Sequence, residues 1–166
     1  MTAPTVAHVR EVLAEVTDPE IPVITIEDLG ILRDVRVDGD HVVVTITPTY
    51  SGCPAMQEIT ADVHAALQQH GWHDVEVRMV LSPAWTTDWM SEDGRRKLRE
   101  FGIAPPSVRV SGPVPVQLGR RTPPQVSCPQ CGSADTEELT RFSSTSCKAM
   151  WRCLSCREPF DHFKAH

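Results

Sequence analysis

ILRDVRVDGDHVVVTITP, residues 31–48, holds two alternating runs around a turn. In the first run Ile31, Val35 and Val37 fall on one side; in the second Val42, Val44 and Ile46 do. Asp38-Gly39 between them is a hairpin signal, because both residues tolerate positive φ. A hairpin with one apolar face must be covered by another layer, and the flanking segments supply it. Upstream, Val6, Val9, Leu13 and Val16 recur at helical spacing, which predicts a helix over residues 5–16. Asp18-Pro19 stops it, since a residue before proline avoids helical dihedrals. Downstream, TPTYSGCP leads into a helix from Pro54 to about His70, with Met56, Ile59, Val63 and Leu67 as its buried stripe. Proline suits the first helical turn, where its missing N–H costs no bond, and Gly71 is placed to end the helix. Val75, Val77 and Met79 alternate as a third strand. A third helix, from about Ser91 to Phe101, opens on Glu92 and Asp93 and continues with Arg95, Arg96, Lys97 and Arg99, the order that complements a helix dipole.

The expected fold is therefore α+β: a small two-layer helix/sheet sandwich over residues 1–112. Seven of the 14 prolines lie between Pro105 and Pro129. That stretch lacks helical periodicity, so residues 113–124 read as a Pro-rich linker, and Ser107 to Ser111 as a candidate last strand of the sandwich. Residues 125–166 then read as a zinc ribbon. Cys128 and Cys131 form one CxxC knuckle and Cys153 and Cys156 another, with 21 residues between them. Cysteines at this spacing turn both sulfurs toward one ion, and zinc favours four thiolates in a tetrahedron. Strands are expected around Leu139–Phe142 and Met150–Arg152. So short a module buries too little to fold alone, so the ion substitutes for a core. One structural zinc per chain is expected; rubredoxin-like iron or a [2Fe–2S] cluster uses the same four thiolates. His162 and His166 read as surface residues of a terminal tail, with substitute ligation as the other reading. Cys147, outside both knuckles, reads as a small buried side chain, with a second reactive thiol as the other reading.

The chain has 166 residues and a net charge of −6. Residues 1–127 carry 11 Lys/Arg against 17 Asp/Glu, and residues 128–166 carry 5 of each. Neither part has the basic excess that a phosphate backbone or an anionic membrane demands, so neither is expected as a partner. No run approaches the length of a bilayer-spanning segment. The opening MTAPTVAHVREVLAEV reads as an amphipathic helix, not a signal peptide, and a cytoplasmic location is expected.

Cys53 stands in SGCP, immediately before the second helix. Free amides and the dipole of a helix start favour a thiolate there, which makes a better nucleophile and a better metal ligand. Gly52 lets another backbone or a ligand come close. An inert cysteine beside the cap fits the position equally. The chain has no phosphate loop, nucleophile elbow or HExxH pattern. His64 and His70 lie more than a turn from Cys53, so no base for a hydrolase is evident.

DPEIPVITIEDLGILRDV followed by TPTYSGCPAM resembles the iron–sulfur assembly family that includes SufT. In that family a DPE-type loop precedes a cysteine at the second helix; Asp18, Glu20, Asp28, Thr49 and Cys53 fall on those positions. LSPAWTTDWMSEDGRRKLREFGIAPP, the CPQC…CLSC ribbon and the ending EPFDHFKAH narrow the resemblance to the phenylacetate-degradation protein D family, grouped as the D component of phenylacetyl-CoA epoxidase. The resemblance implies a bacterial accessory protein of aerobic phenylacetate catabolism, not an enzyme. Its partners would be proteins of the epoxidase system, above all the ferredoxin-type reductase, and Cys53 would transiently hold iron or a cluster. Carboxylates of Asp18 and Glu20 would serve as hard oxygen ligands or, on the other reading, as turn and capping groups. The ribbon, with Trp85 and Trp89 as contacts or as core, would dock the recipient. A non-catalytic structural component of the epoxidase is the alternative.

Overall fold

The computed structural model describes residues 3–107 and 125–165. It divides into two compact units, residues 1–97 and 98–165. The linker expected at residues 113–124, the strand expected over residues 107–111 beyond its first residue, and His166 lie outside the described residues.

Unit 1 is the helix/sheet sandwich. Helix α1 spans Val6–Leu13 and starts on Thr5, whose side chain accepts from the His8 amide. It ends three residues earlier than the periodicity predicts. Glu15 and Val16 bond back three residues, to the carbonyls of Val12 and Leu13, so the last turn tightens instead of continuing. Strands β1 (Leu32–Asp38) and β2 (His41–Ile46) form the expected hairpin. Its register slips between Leu32 and Asp34. That bulge puts Leu32 on the buried side with Val35, which the simple alternation of odd positions misses. Helix α2 spans Ala55–Gln69 and buries Met56, Ile59, Val63 and Leu67. Strand β3 (Val75–Met79) runs parallel to β2, giving the order β1-β2-β3. Val42, Val44 and Ile46 of the central strand are fully buried.

The loop between Val16 and Ile31 is part of the core: Ile21, Ile24, Ile26, Leu29 and Ile31 are all buried. Gly30 has φ +71, and a Cβ there would lie 2.6 Å from the Trp89 backbone carbonyl oxygen. Only glycine meets both demands. Trp85 is in the core, its indole N–H donating to the Leu29 carbonyl. Trp89, in a 3-10 turn at Thr87–Trp89, is half-buried under the Arg33 guanidinium, 3.4 Å from the ring centre. Helix α3 covers Glu92–Glu100, as its charge order predicts.

Unit 2 is a four-stranded sheet, ordered β4-β7-β6-β5. Strands β5 (Thr136–Thr140) and β6 (Lys148–Cys153) form the ribbon hairpin, and β7 (Pro159–Phe163) pairs antiparallel with β6. The short β4 (Ile103–Ala104) pairs with β7 in parallel. Residues 159–163 are thus a strand of the sheet and not the surface tail expected from the sequence. Phe160, His162 and Phe163 are buried, because β7 completes a sheet whose apolar cluster holds Ala104, Val126, Ala149, Trp151 and Phe160 beside Cys128 and Cys153.

Candidate functional site

The four knuckle cysteines converge. The chain reverses after Cys128 and again after Cys153. The Gly132 amide bonds to the Cys128 carbonyl, and the Arg157 amide to that of Cys153. Both turning residues have positive φ, +75 at Gly132 and +70 at Arg157. The four sulfurs lie within 4.8 Å of one another. Cys128 and Cys156 are 3.7 Å apart, and Cys131 and Cys153 3.6 Å. Metal–thiolate bonds of about 2.3 Å in a tetrahedron put sulfurs about 3.8 Å apart, so the set fits one such ion. Among the described residues it is the one convergent group of three or more Cys, His, Asp or Glu side chains.

The electrostatics agree. The amides of Cys156 and Ser155 point at Cys153 and pull its thiol down to about 6. Cys156 is pushed up to about 12: the Glu158 amide favours its thiolate, but lost hydration and the neighbouring sulfurs outweigh that. Four thiolates so close cannot all ionise without a cation between them.

Cys147 lies outside this shell, buried, with its sulfur 3.0 Å from the Thr145 hydroxyl. His162 packs edge-on against Trp151, and burial pushes its imidazole down from 6.5 to about 4. Neutral His162 is therefore part of the folded state. As pH falls below 6.5 the unfolded chain takes the proton first, so stability present above that value is lost on the way down to about 4. The loss amounts to about 3 kcal/mol at most. In metal-saturated protein, urea midpoints of wild type and His162→Phe should diverge as pH falls from neutral to about 5; parallel curves would show that His162 does not titrate this way.

In unit 1, Cys53 is half-buried at the end of a tight turn. Its amide bonds to the Tyr50 carbonyl at 3.3 Å, and Gly52 between them has φ +82 with open space around it. Positive φ at the third position is what a type II turn requires. Cys53 precedes Pro54, the cap of α2, and no side chain caps that helix. In the first turn the Met56 and Gln57 amides bond to the Cys53 and Pro54 carbonyls, and the dipole of α2 has its positive end at the cysteine. Thr49 is half-buried just upstream. With Pro48, Tyr50, Leu81, Ala84 and Trp85 it lines a cavity of about 370 Å³.

The acidic residues of the loop have other partners. Asp18 is buried and accepts from the amides of Glu20 and Ile21 at 2.8 and 2.9 Å, holding the Pro19 turn. Glu20 is half-buried in that turn. Asp28 accepts from the Lys97 ammonium at 2.6 Å, the Ser91 hydroxyl at 2.8 Å and the Thr25 amide at 3.4 Å. Burial alone would raise its carboxyl; these donors outweigh it and hold the group below the ordinary value of 3.8. Asp28 also fixes α3, since its carbonyl accepts from the Ser91 amide at 2.8 Å. Nothing in the spacing of a carboxylate and a lysine 69 residues apart signals this lock. Asp28→Asn should lower stability by about 1–3 kcal/mol at neutral pH. The depressed value means the deficit should shrink as pH falls below 3.8; urea denaturation across pH measures it.

Comparison with known proteins follows the same division. Residues 7–79 match the iron–sulfur cluster assembly protein family, and residues 112–164 match the PaaD zinc beta ribbon domain. A protein of Escherichia coli (strain K12) that carries the provisional name of D component of 1,2-phenylacetyl-CoA epoxidase is 46% identical over 161 residues, 97% of this chain and 93% of that one. The chain belongs to the PaaD family. Its first part is shared more widely. An Fe-S protein maturation auxiliary factor of Porphyromonas gingivalis is 39% identical over 88 residues, 52% of this chain and 83% of that protein. A crystal structure of a domain of unknown function from Bacillus anthracis has a TM-score of 0.53 at 31% identity, over 56% of this chain and 90% of that one. The chain thus joins a sandwich of the iron–sulfur cluster assembly protein family to a PaaD zinc beta ribbon. None of the helices in the described residues is long and apolar enough to cross a membrane.

Proposed function

We propose that this chain is a cytoplasmic accessory factor of aerobic phenylacetate catabolism, not an enzyme. It assists iron–sulfur cluster or iron assembly in the phenylacetyl-CoA epoxidase system through Cys53. The recipient is a protein of that system, the ferredoxin-type reductase. The observation that carries the reading is Cys53 itself, accessible after the open Gly52 turn at a helix start without a side-chain cap, inside the segment that matches the assembly family. A thiolate there has the softness to take iron or a cluster reversibly. Asp18 and Asp28 hold the loop and α3 in place in this reading, through the amides and the lysine they already bind. The ribbon metal is zinc, one per chain, and structural: four protein thiolates leave no open position for chemistry.

The name of the Escherichia coli relative, the D component of an epoxidase, favours one other reading, a non-catalytic structural part of the complex. Purification of the epoxidase from cells producing this chain separates the two. An assembly factor is expected in substoichiometric amounts or absent from the active complex. Stable equimolar copurification, with full activity for Cys53→Ser, would support the structural role instead. Metal analysis of the pure chain should give about one zinc; iron in its place would overturn the zinc assignment.

A further inference from the structure

We propose that two copies of this chain associate through the free edge of β3, forming one continuous sheet across a two-fold axis at Val77. Among the described residues strand β3 is the last strand of its sheet, bonded on one side to β2. The two edges of that sheet are built differently. The β1 edge carries a bulge and exposes Arg33 and Arg36, which discourages pairing. The β3 edge has no proline and no register shift against β2.

Three features of VEVRM, residues 75–79, agree on the same pairing. The first is backbone direction. The Asp74 carbonyl accepts from the Val42 amide, and the Val80 amide donates to the Ile46 carbonyl. Backbone groups alternate sides along a strand, so residues 76 and 78 also face β2. The N–H and C=O groups of Val75, Val77 and Met79 therefore point outward. The second is apolar surface. Val75, Val77 and Met79 pair with the buried Val42, Val44 and Ile46 and share their face. The helices leave this face of β3 incompletely covered: Val75 and Val77 are half-buried, and Met79 is 51% exposed. The third is charge. Glu76 and Arg78 lie on the opposite face and bind each other at 2.7 Å, with His41 3.6 Å from Glu76.

An antiparallel pair centred on Val77 satisfies all three at once. Val77 faces Val77 of the second copy, and Val75 faces Met79. These are the positions whose backbone groups point outward, so each can exchange both hydrogen bonds. Glu76 then faces Arg78 across the strands, twice by symmetry, and opposite charges directly across a sheet are favourable. The strand is complementary to itself, which is what an isologous two-fold interface needs. A shift by one residue would set Glu76 against an apolar neighbour and turn the inward side chains out.

Sedimentation velocity of the full metal-loaded chain, over a dilution series from micromolar to near millimolar, tests this. Wild type should show a monomer–dimer equilibrium. Glu76→Arg and Arg78→Glu each set like charges across the axis, and should weaken the dimer at least tenfold while circular dichroism shows an intact fold. Mixing those two variants should restore association, because every cross-strand pair is then opposite. So should the double swap Glu76→Arg/Arg78→Glu. A wild type that stays monomeric throughout, or a dimer indifferent to both single reversals, overturns the proposal.

Discussion

Cys153→Ser is expected to unfold the C-terminal unit and leave the N-terminal sandwich folded. Cys153 is fully buried, both as a member of the convergent sulfur set and within the apolar cluster around Trp151 and Phe160. That cluster is small, and two of its seven members are the ligands Cys128 and Cys153. A core of this size supplies only a few kcal/mol, whereas four-thiolate zinc sites in small domains contribute roughly 10–16 kcal/mol of apparent binding energy. Serine keeps the size and loses the soft ligand. Hydrogen exchange read by mass spectrometry resolves the two units. Protection of β6 and β7 should fall to that of an unfolded chain, and a chelator should do the same to wild type. Trp151 reports the collapse separately, since the other three tryptophans belong to unit 1. Protection of β6 that survives metal removal would show that the apolar cluster suffices.

Cys53→Ser is expected to abolish growth on phenylacetate while leaving the sandwich as stable as wild type within about 1 kcal/mol. The turn that presents Cys53 is closed by backbone: its amide to the Tyr50 carbonyl, with the positive φ at Gly52. The sulfur has no part in that closure, so a hydroxyl of similar size keeps the loop and removes the soft ligand. Chemistry and architecture are separable at this position. They are not at Asp28, where loss of the carboxylate also removes one ion-pair partner of Lys97 and the acceptor of the Ser91 hydroxyl. Growth assays and urea midpoints on the same variants measure both. Normal growth with Cys53→Ser would remove the sulfur from the account.

Local features made much of this visible in the sequence. The hairpin at Asp38-Gly39, the stripe of α2 and the two knuckles are written in short-range patterns of alternation, helical period and CxxC spacing. What the sequence hid depends on contacts far apart in the chain. The bulge at Leu32/Asp34 shows only against β2, because one extra residue looks like broken alternation. Strand β7 looked like a tail because it is held between β6 and the short β4, and β4 lies far back in the chain, before the proline-rich stretch. The alternation of Phe160 and His162 was the one available signal. Gly30 is fixed by Trp89, which meets it from a distant part of the sequence. The Cys53 loop falls between these cases. Its turn and helix start were legible, and so was a turn role for Asp18, whose partners lie two and three residues on; the Lys97 and Ser91 partners of Asp28 were not.

The proposed role of the Cys53 sulfur is to help a partner acquire its iron–sulfur centre. Its most direct test is the iron and acid-labile sulfide per chain of the epoxidase reductase, purified from cells producing either wild type or Cys53→Ala. A full complement is expected with wild type and a large deficit with Cys53→Ala, at equal amounts of both reductase and accessory protein. Equal iron and sulfide in the two preparations would contradict it.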